Sequence, residues 1–259
     1  MTDTLRLAAE EWYGIKADEG DLEKFHTFLL KTYGGESQTI LKRVFLSGEA
    51  AGFLTVHETY FFRETAHFAF LGNLLPSFEK SGVQICSAAV ATGCEAYSIA
   101  MMIEAYNKIT ETPLSYYIDA FDINPKVIET ASQGVYGERA MREDGSCYRY
   151  MADPYLRKTA AGYTVDAFLK RNINFFVHNV MNELPRTSYD IIFFRNAFIY
   201  FAPQNRDRIL SNLSNALKEG GILILGVSET AGAHHADLEE KNTNDVFYFQ
   251  KRQKISNGL

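Results

Sequence analysis

The chain has 259 residues, 46% of them hydrophobic and 22% charged, with a formal net charge of −6. That length suits one large domain or two small ones, and the negative charge argues against general nucleic-acid binding. No run of about 18 apolar residues exists, so no membrane insertion is expected. The acidic start, MTDTLRLAAEEWYG, lacks the basic-then-apolar order of a signal peptide. Three cysteines, Cys86, Cys94 and Cys147, show no metal-ligand spacing, which implies a reducing, cytoplasmic setting without disulfides. Cys86 reads as a small buried hydrophobe, whereas Cys94 falls in a turn where a thiol can be reactive.

Residues 1–75 read as helical. Leu22, Phe25, Phe28, Leu29 and Leu30 share a helical face that Gly34-Gly35 terminates. A second helix is expected from Ser37 to Leu46, and a third, carrying Phe68, Leu71, Leu74 and Leu75, ends before Pro76. From about residue 80 strands and helices alternate. The strands are Val83–Val90, Tyr116–Ile123, Ile173–Val180, Tyr189–Phe194, Ile222–Val227 and Val246–Gln250. The clearest helices are Glu95–Ile109, Pro125–Gln133 and Arg206–Leu217, the last closed by Gly220-Gly221. This alternation predicts an α/β fold, a mostly parallel Rossmann-like sheet with helices on both faces. A helical domain and linker over 1–75 precede a second domain over 76–259. Weak periodicity over 136–170 marks a small insertion.

Ligands of such sheets bind beyond the carboxyl ends of the strands, so chemistry is sought there. The first strand stops at Ala91-Thr92-Gly93, and Glu95 opens the next helix. A carboxylate at that corner repels phosphate and suits a ligand with hydroxyls or a positive charge; S-adenosylmethionine has both. Asp122, ending the second strand, stands where an acid bonds ribose hydroxyls. Asn124 is the better helix cap, which leaves Asp122 for the ligand. Asn179 and Asn196 follow the third and fourth strands, and their amides can donate and accept at an adenine edge or an amino acid terminus. Arg195 is a lone charge after an apolar strand and calls for a carboxylate partner, and Tyr200 can turn its hydroxyl into the cleft. His234-His235 lacks a third ligand, so no metal is expected.

Together these residues resemble the CheR-type chemotaxis receptor methyltransferases. Ser87 to Ala100, SAAVATGCEAYSIA, is similar to the family's SAA-x-x-TGEEPYSIA signature, with Cys94 for its first acid and Ala96 for its proline. His57-Glu58-Thr59-Tyr60-Phe61-Phe62-Arg63-Glu64 resembles its T-x-FFR element, and Asp122-Ile123-Asn124 its DID. Arg195 to Phe201, RNAFIYF, resembles RNV-x-IYF, and Gly226-Val227-Ser228-Glu229 resembles GHSE. The five elements occur in family order from about residue 55 to residue 250. The resemblance implies a small helical N-terminal domain, a methyltransferase domain with a β insertion, and S-adenosyl-L-methionine as cofactor with S-adenosyl-L-homocysteine as product. It implies cofactor contacts from Thr59, Arg63, Glu95, Asp122, Asn179, Val180, Asn196 and Ala197. The implied reaction is methyl ester formation on glutamates of chemoreceptor cytoplasmic helices. Such a carboxylate is ionised at neutral pH and needs no strong base, only a holder. Arg63 is the first candidate for that catalytic role and Tyr200 the second.

Residues 1–50 depart from the family pattern, in which the N-terminal domain is longer and carries an Arg-rich helix. Here they hold six Lys or Arg and nine Asp or Glu, a balance of six minus nine, or −3. Like charge disfavours docking on acidic receptor helices. A different acceptor, small molecule or protein, is therefore an alternative. The changes at Cys94 and Ala96 motivate a third reading, a non-catalytic module that senses the cofactor or its product. The stop at Leu259, soon after the last strand, gives the expectation of no appended repeat domain.

Overall fold

A computed structural model describes residues 2–160, 162–229, 235–243 and 246–253. The chain opens with four helices: α1 (Thr2–Tyr13), α2 (Glu19–Tyr33), α3 (Gln38–Leu46) and the short α4 (Ala51–Leu54). Local chemistry sets their ends. The Asp18 carboxylate accepts from the Asp21 amide at 3.0 Å to start α2, and Gly34, at φ +74°, ends it. Leu22, Phe25 and Leu29 are buried on its inner face, whereas Leu30 points outward, 49% exposed. Leu30 follows Leu29 by only 100° around the helix, which carries it off the core face.

Next come α5 (Thr65–Leu74), β1 (Val83–Ala88), α6 (Cys94–Asn107), β2 (Tyr116–Asp122) and α7 (Pro125–Gln133). The segment up to residue 170 holds β3 (Val135–Tyr136), α8 (Arg149–Ala152), β4 (Leu156–Thr159), β5 (Gly162–Val165) and α9 (Ala167–Lys170). The chain then runs through β6 (Ile173–Val177), β7 (Tyr189–Phe194), α10 (Pro203–Ala216), β8 (Leu217–Leu225), β9 (Leu238–Thr243) and β10 (Val246–Lys251).

Seven strands form one sheet in the order β6-β2-β1-β7-β8-β10-β9. The first five are parallel, while β10 pairs antiparallel with both β8 and β9. The chain builds outward from β1 to β2 and β6, then returns to place β7 on the other side of β1. That reversal leaves a crevice at the carboxyl ends of β1 and β7, where α/β sheets bind ligands. A separate antiparallel sheet, β3-β5-β4, forms the inserted segment. The Tyr136 hydroxyl ties it to the β1 turn by donating to the Thr92 carbonyl at 2.6 Å.

Alternation along the strands divides the core in two. Ile192 and Phe194 of β7 pack with Leu5, Phe25, Phe45, Ile209 and Leu213. Ile191 and Phe193 pack on the opposite face with Phe68, Leu71, Tyr97 and Ile103. Helices α1 to α4 thus share one core with α10 and the sheet. Glycines 220 and 221, expected to close α10, lie inside β8, which begins directly after Ala216.

Candidate active site

An open cavity of about 990 Å3 lies over the carboxyl ends of β1, β2, β6 and β7. Every expected site residue lines it: Thr59, Arg63, Glu95, Asp122, Asn179, Val180, Asn196, Ala197 and Tyr200. Among the described residues, five non-glycine positions have positive φ: Phe62, Glu64, Ala89, Ala91 and Asn196. All five fall in three segments bordering this cavity: the loop before α5, the β1 turn and the β7 turn. Each left-handed residue costs on the order of 1–3 kcal/mol, so surrounding bonds must over-determine these turns.

The β1 turn shows how. Ala89 at φ +55°, Ala91 at +50° and Gly93 at +89° fold the chain back before α6. A Cβ on Gly93 would stand 2.7 Å from the Ala131 Cβ, so helix α7 packs where a side chain would be. The Asp122 carboxylate holds this turn, accepting from the Ala91 amide at 3.0 Å and the Asn124 amide at 2.9 Å. Asn124 caps α7 through the Lys126 amide at 2.9 Å. Asp122 is therefore not left free by that cap. Both of its oxygens already carry a backbone bond, and any ligand hydroxyl uses their remaining lone pairs. Burial pushes its carboxyl up, against the Asn124 amide and the nearby His57.

Glu95 accepts from the Ser87 hydroxyl at 2.7 Å and from Arg195 Nη1 at 3.0 Å. Arg195 is the expected paired arginine. Its buried guanidinium also bonds the Arg63 carbonyl and reaches Glu64 Oε2 at 3.1 Å. The two asparagines depart from expectation. Asn179 spends its amide on the Trp12 carbonyl (2.7 Å) and the Met181 amide (3.0 Å). The Asn196 side chain donates to Glu64 Oε1 at 2.8 Å, and its backbone N–H donates to Glu229 Oε2 at 2.6 Å. Both fix loops, so neither amide is free to read an adenine edge fully. Val180 and Ala197 sit beside them as cavity walls.

Arg63 Nη1 donates to the Glu58 carbonyl at 2.7 Å, and its guanidinium lies 5.7 Å from the Tyr60 ring centre. Tyr200, 38% exposed, stands at the rim. Cys94 is fully buried, and burial pushes its thiol up to about 12, so it is neutral and not the reactive group its turn position allowed. Neither Cys94 nor Ala96 lines the cavity; both are buried on the inner side of α6. The signature changes therefore touch packing and not the site. Cys86 is buried and Cys147 exposed. His234 lies outside the described residues; His235 meets the Ser211 hydroxyl at 3.0 Å. Among the described residues no metal-holding cluster of acids, cysteines and histidines occurs.

Three pairs of residues were missed from the sequence. Glu64 and Glu229 are buried or half-buried carboxylates that lock the loops. Glu229 accepts from Asn196, Gly226 (2.8 Å) and Ile199 (3.2 Å) backbone amides. Their one signal was position, at the ends of the FFRE and GVSE stretches. His57 and His178 line the cavity, and burial holds both rings below the usual histidine range. Tyr13 and Ile15 supply a wall from the N-terminal helices. Backbone bonds fasten that segment: Lys16 N–H to the Tyr200 carbonyl (2.7 Å) and Ala202 N–H to the Gly14 carbonyl (2.9 Å). No local pattern reveals a contact made across some 190 residues of chain.

A family profile described as CheR methyltransferase, SAM binding domain, matches residues 57–247. The chain belongs to this family. It is 33% identical over 188 residues to a chemotaxis protein methyltransferase of Borreliella burgdorferi, covering 68% of this chain and 65% of the relative. A protein of the same name from Vibrio parahaemolyticus is 35% identical over 183 residues, covering 68% and 66%. One from Listeria monocytogenes is 27% identical over 223 residues, covering 85% and 82%. The chain thus spans just under two thirds of the length of the first two relatives. S-adenosyl-L-methionine, the cofactor of this CheR domain, fits the cavity. Val90, Phe121, Ile123 and Val180 give apolar walls for a purine, and Glu95 and Asp122 give carboxylates for hydroxyls and positive charge. Among the described residues, no helix is long and apolar enough to cross a membrane.

Proposed function

We propose that this chain transfers a methyl group from S-adenosyl-L-methionine to glutamate side chains on the cytoplasmic helices of chemotaxis receptors. The observation that carries the reading is the placement of Arg63 and Tyr200 on the same cavity as Glu95 and Asp122. Bound there, the cofactor supplies a methyl carried on a positive sulfonium. An acceptor carboxylate would take that methyl with S-adenosylhomocysteine as the leaving group, and no protein group would have to move a proton. The protein's work is therefore positioning. Arg63 presents two parallel N–H donors that match a carboxylate, and the Tyr200 hydroxyl adds a third. Asp122 and Glu95 would hold the cofactor end, and the side chains of Phe121, Ile123 and Val180 would exclude water from it. No general base is needed, because the acceptor carboxylate is already ionised at neutral pH.

The chemotaxis names of the relatives support the acceptor class. The signature changes that motivated a cofactor sensor lie in packed positions, which removes the reason for that reading. A different protein acceptor draws support from the acidic balance of residues 1–50. The test is incubation with methyl-labelled cofactor and a chemoreceptor cytoplasmic fragment. Label released as methanol by mild base is the expected result, and Arg63→Ala abolishes it. Label stable to base, or none on any receptor fragment, overturns the carboxylate reading.

A further inference from the structure

We propose that Glu64 is a positioning residue that holds the Arg63 loop against the cofactor corner; this rests on the carboxyl-methylation reading above. Glu64 occupies the N-cap position of α5, where an acid ordinarily bonds the first amides of its own helix. It makes no such cap. Its backbone is left-handed at φ +59°, and its carboxylate reaches across to the turns after β7 and β8 while also meeting His67 of α5. There one carboxylate joins two other segments, the β7 and β8 turns, to its own helix. Oε1 accepts from the Asn196 amide at 2.8 Å. Oε2 accepts from Arg195 Nη2 at 3.1 Å and from the Val227 backbone at 3.4 Å, with His67 Nδ1 at 3.2 Å.

These bonds close a chain across the site. Ser87 and Glu95 belong to β1 and α6, Arg195 and Asn196 to the β7 turn, and Val227 to the β8 turn. Arg195 bonds both Glu64 and the Arg63 carbonyl, so the residue proposed to hold the acceptor is fixed from its own backbone. The strain at Phe62 and Glu64 persists because this network over-determines the loop. A residue that gives up its local cap and adopts a strained backbone to bridge two turns of the site serves more than its own helix. Burial opposes ionisation of Glu64, but His67, Arg195 and Asn196 outweigh it and hold the carboxyl well below the usual range.

Glu64→Gln tests this at equal size. A glutamine amide accepts on one side only, so its NH2 group meets a donor in either orientation. Arg195 keeps Glu95, and the Ser87–Glu95–Arg195 corner survives. The readout is amide hydrogen exchange at Phe61 and Phe62, whose N–H groups bond the Ala140 carbonyl and the Ser98 hydroxyl, both at 2.9 Å. Their exchange should quicken by about tenfold, the factor that one lost charge-assisted bond supplies. Amides of β1 and β7 should stay within about twofold of wild type, and the S-adenosylhomocysteine dissociation constant within about threefold. Asn196→Gly, which keeps the positive φ and the charge pair, should give a smaller change of the same kind.

Methyl transfer to the receptor fragment should fall in kcat by about tenfold in Glu64→Gln. In an Arg63→Lys background the same change should cost far less, because both act through one group. Unchanged exchange at Phe61 and Phe62 overturns the proposal. So does equal acceleration throughout β1 and β7, which marks a merely structural role. If wild type forms no ester, the carboxylate reading fails, and the exchange ratio still decides whether Glu64 holds the loop.

Discussion

Replacing Asp122 by Asn probes the corner that the whole site leans on. The carboxylate is 6% exposed and accepts two backbone N–H bonds, at 3.0 Å from Ala91 and 2.9 Å from Asn124. Asparagine keeps the size and one acceptor, but its NH2 group then faces one of those donors. A bond to a charged acceptor contributes about 1.5–3 kcal/mol, and the orphaned amide adds desolvation cost. The removed charge was itself costly to bury, which offsets part of the loss. The expected net cost is about 2 kcal/mol of folding stability. If Asp122 also bonds cofactor hydroxyls, affinity for S-adenosylhomocysteine falls by about tenfold more than stability alone explains. Urea unfolding with and without ligand, together with calorimetric titration of the folded variant, separates the two effects. Unchanged stability would show that the Ala91 turn does not depend on this carboxylate. Unchanged affinity in a folded variant would remove Asp122 from the cofactor site.

Gly93→Ala should destabilise the fold by about 2 kcal/mol or more, from a left-handed backbone and a clash with Ala131; denaturant unfolding measures it. Deletion of residues 1–50 should abolish cooperative unfolding, because Leu5, Tyr13, Phe25 and Phe45 share a core with Phe194 and Ile209. A stable truncated chain that still binds S-adenosylhomocysteine would contradict this. Burial lowers the His178 pKa in the folded state, so its contribution to stability is full above about pH 6.5 and is lost as pH falls below it. His178→Gln should accordingly flatten the drop in unfolding free energy between about pH 7 and pH 5. An equally steep drop in the variant would refute that assignment.

The sheet was legible because its strands are short apolar runs broken by turn residues. Tyr189–Phe194 and Pro125–Gln133 occupy the expected bounds, and Pro125 with the Asn124 cap explains the latter. The β8 start was not legible. Leu217-Lys218-Glu219 continues the helical pattern of α10, yet pairing of Leu217 with Tyr189 draws it into the sheet. Strand β9, LEEKNT, buries only Leu238 among otherwise polar residues, and its pairing with β10 alone defines it. At the site, strand-end acids and asparagines were visible because strand ends are where such sheets bind. Their partners were not. Glu64, Glu229 and the Trp12 carbonyl act from loops and from distant chain, where neither period nor spacing carries a signal.

Mass-spectrometric fragmentation of a chemoreceptor cytoplasmic fragment, after incubation with this protein and S-adenosylmethionine, tests the central claim most directly. An added methyl on glutamate side chains is expected, removed by mild base and absent with Arg63→Ala. A methyl on any other residue type, or one that survives in the Arg63 variant at wild-type level, would contradict it.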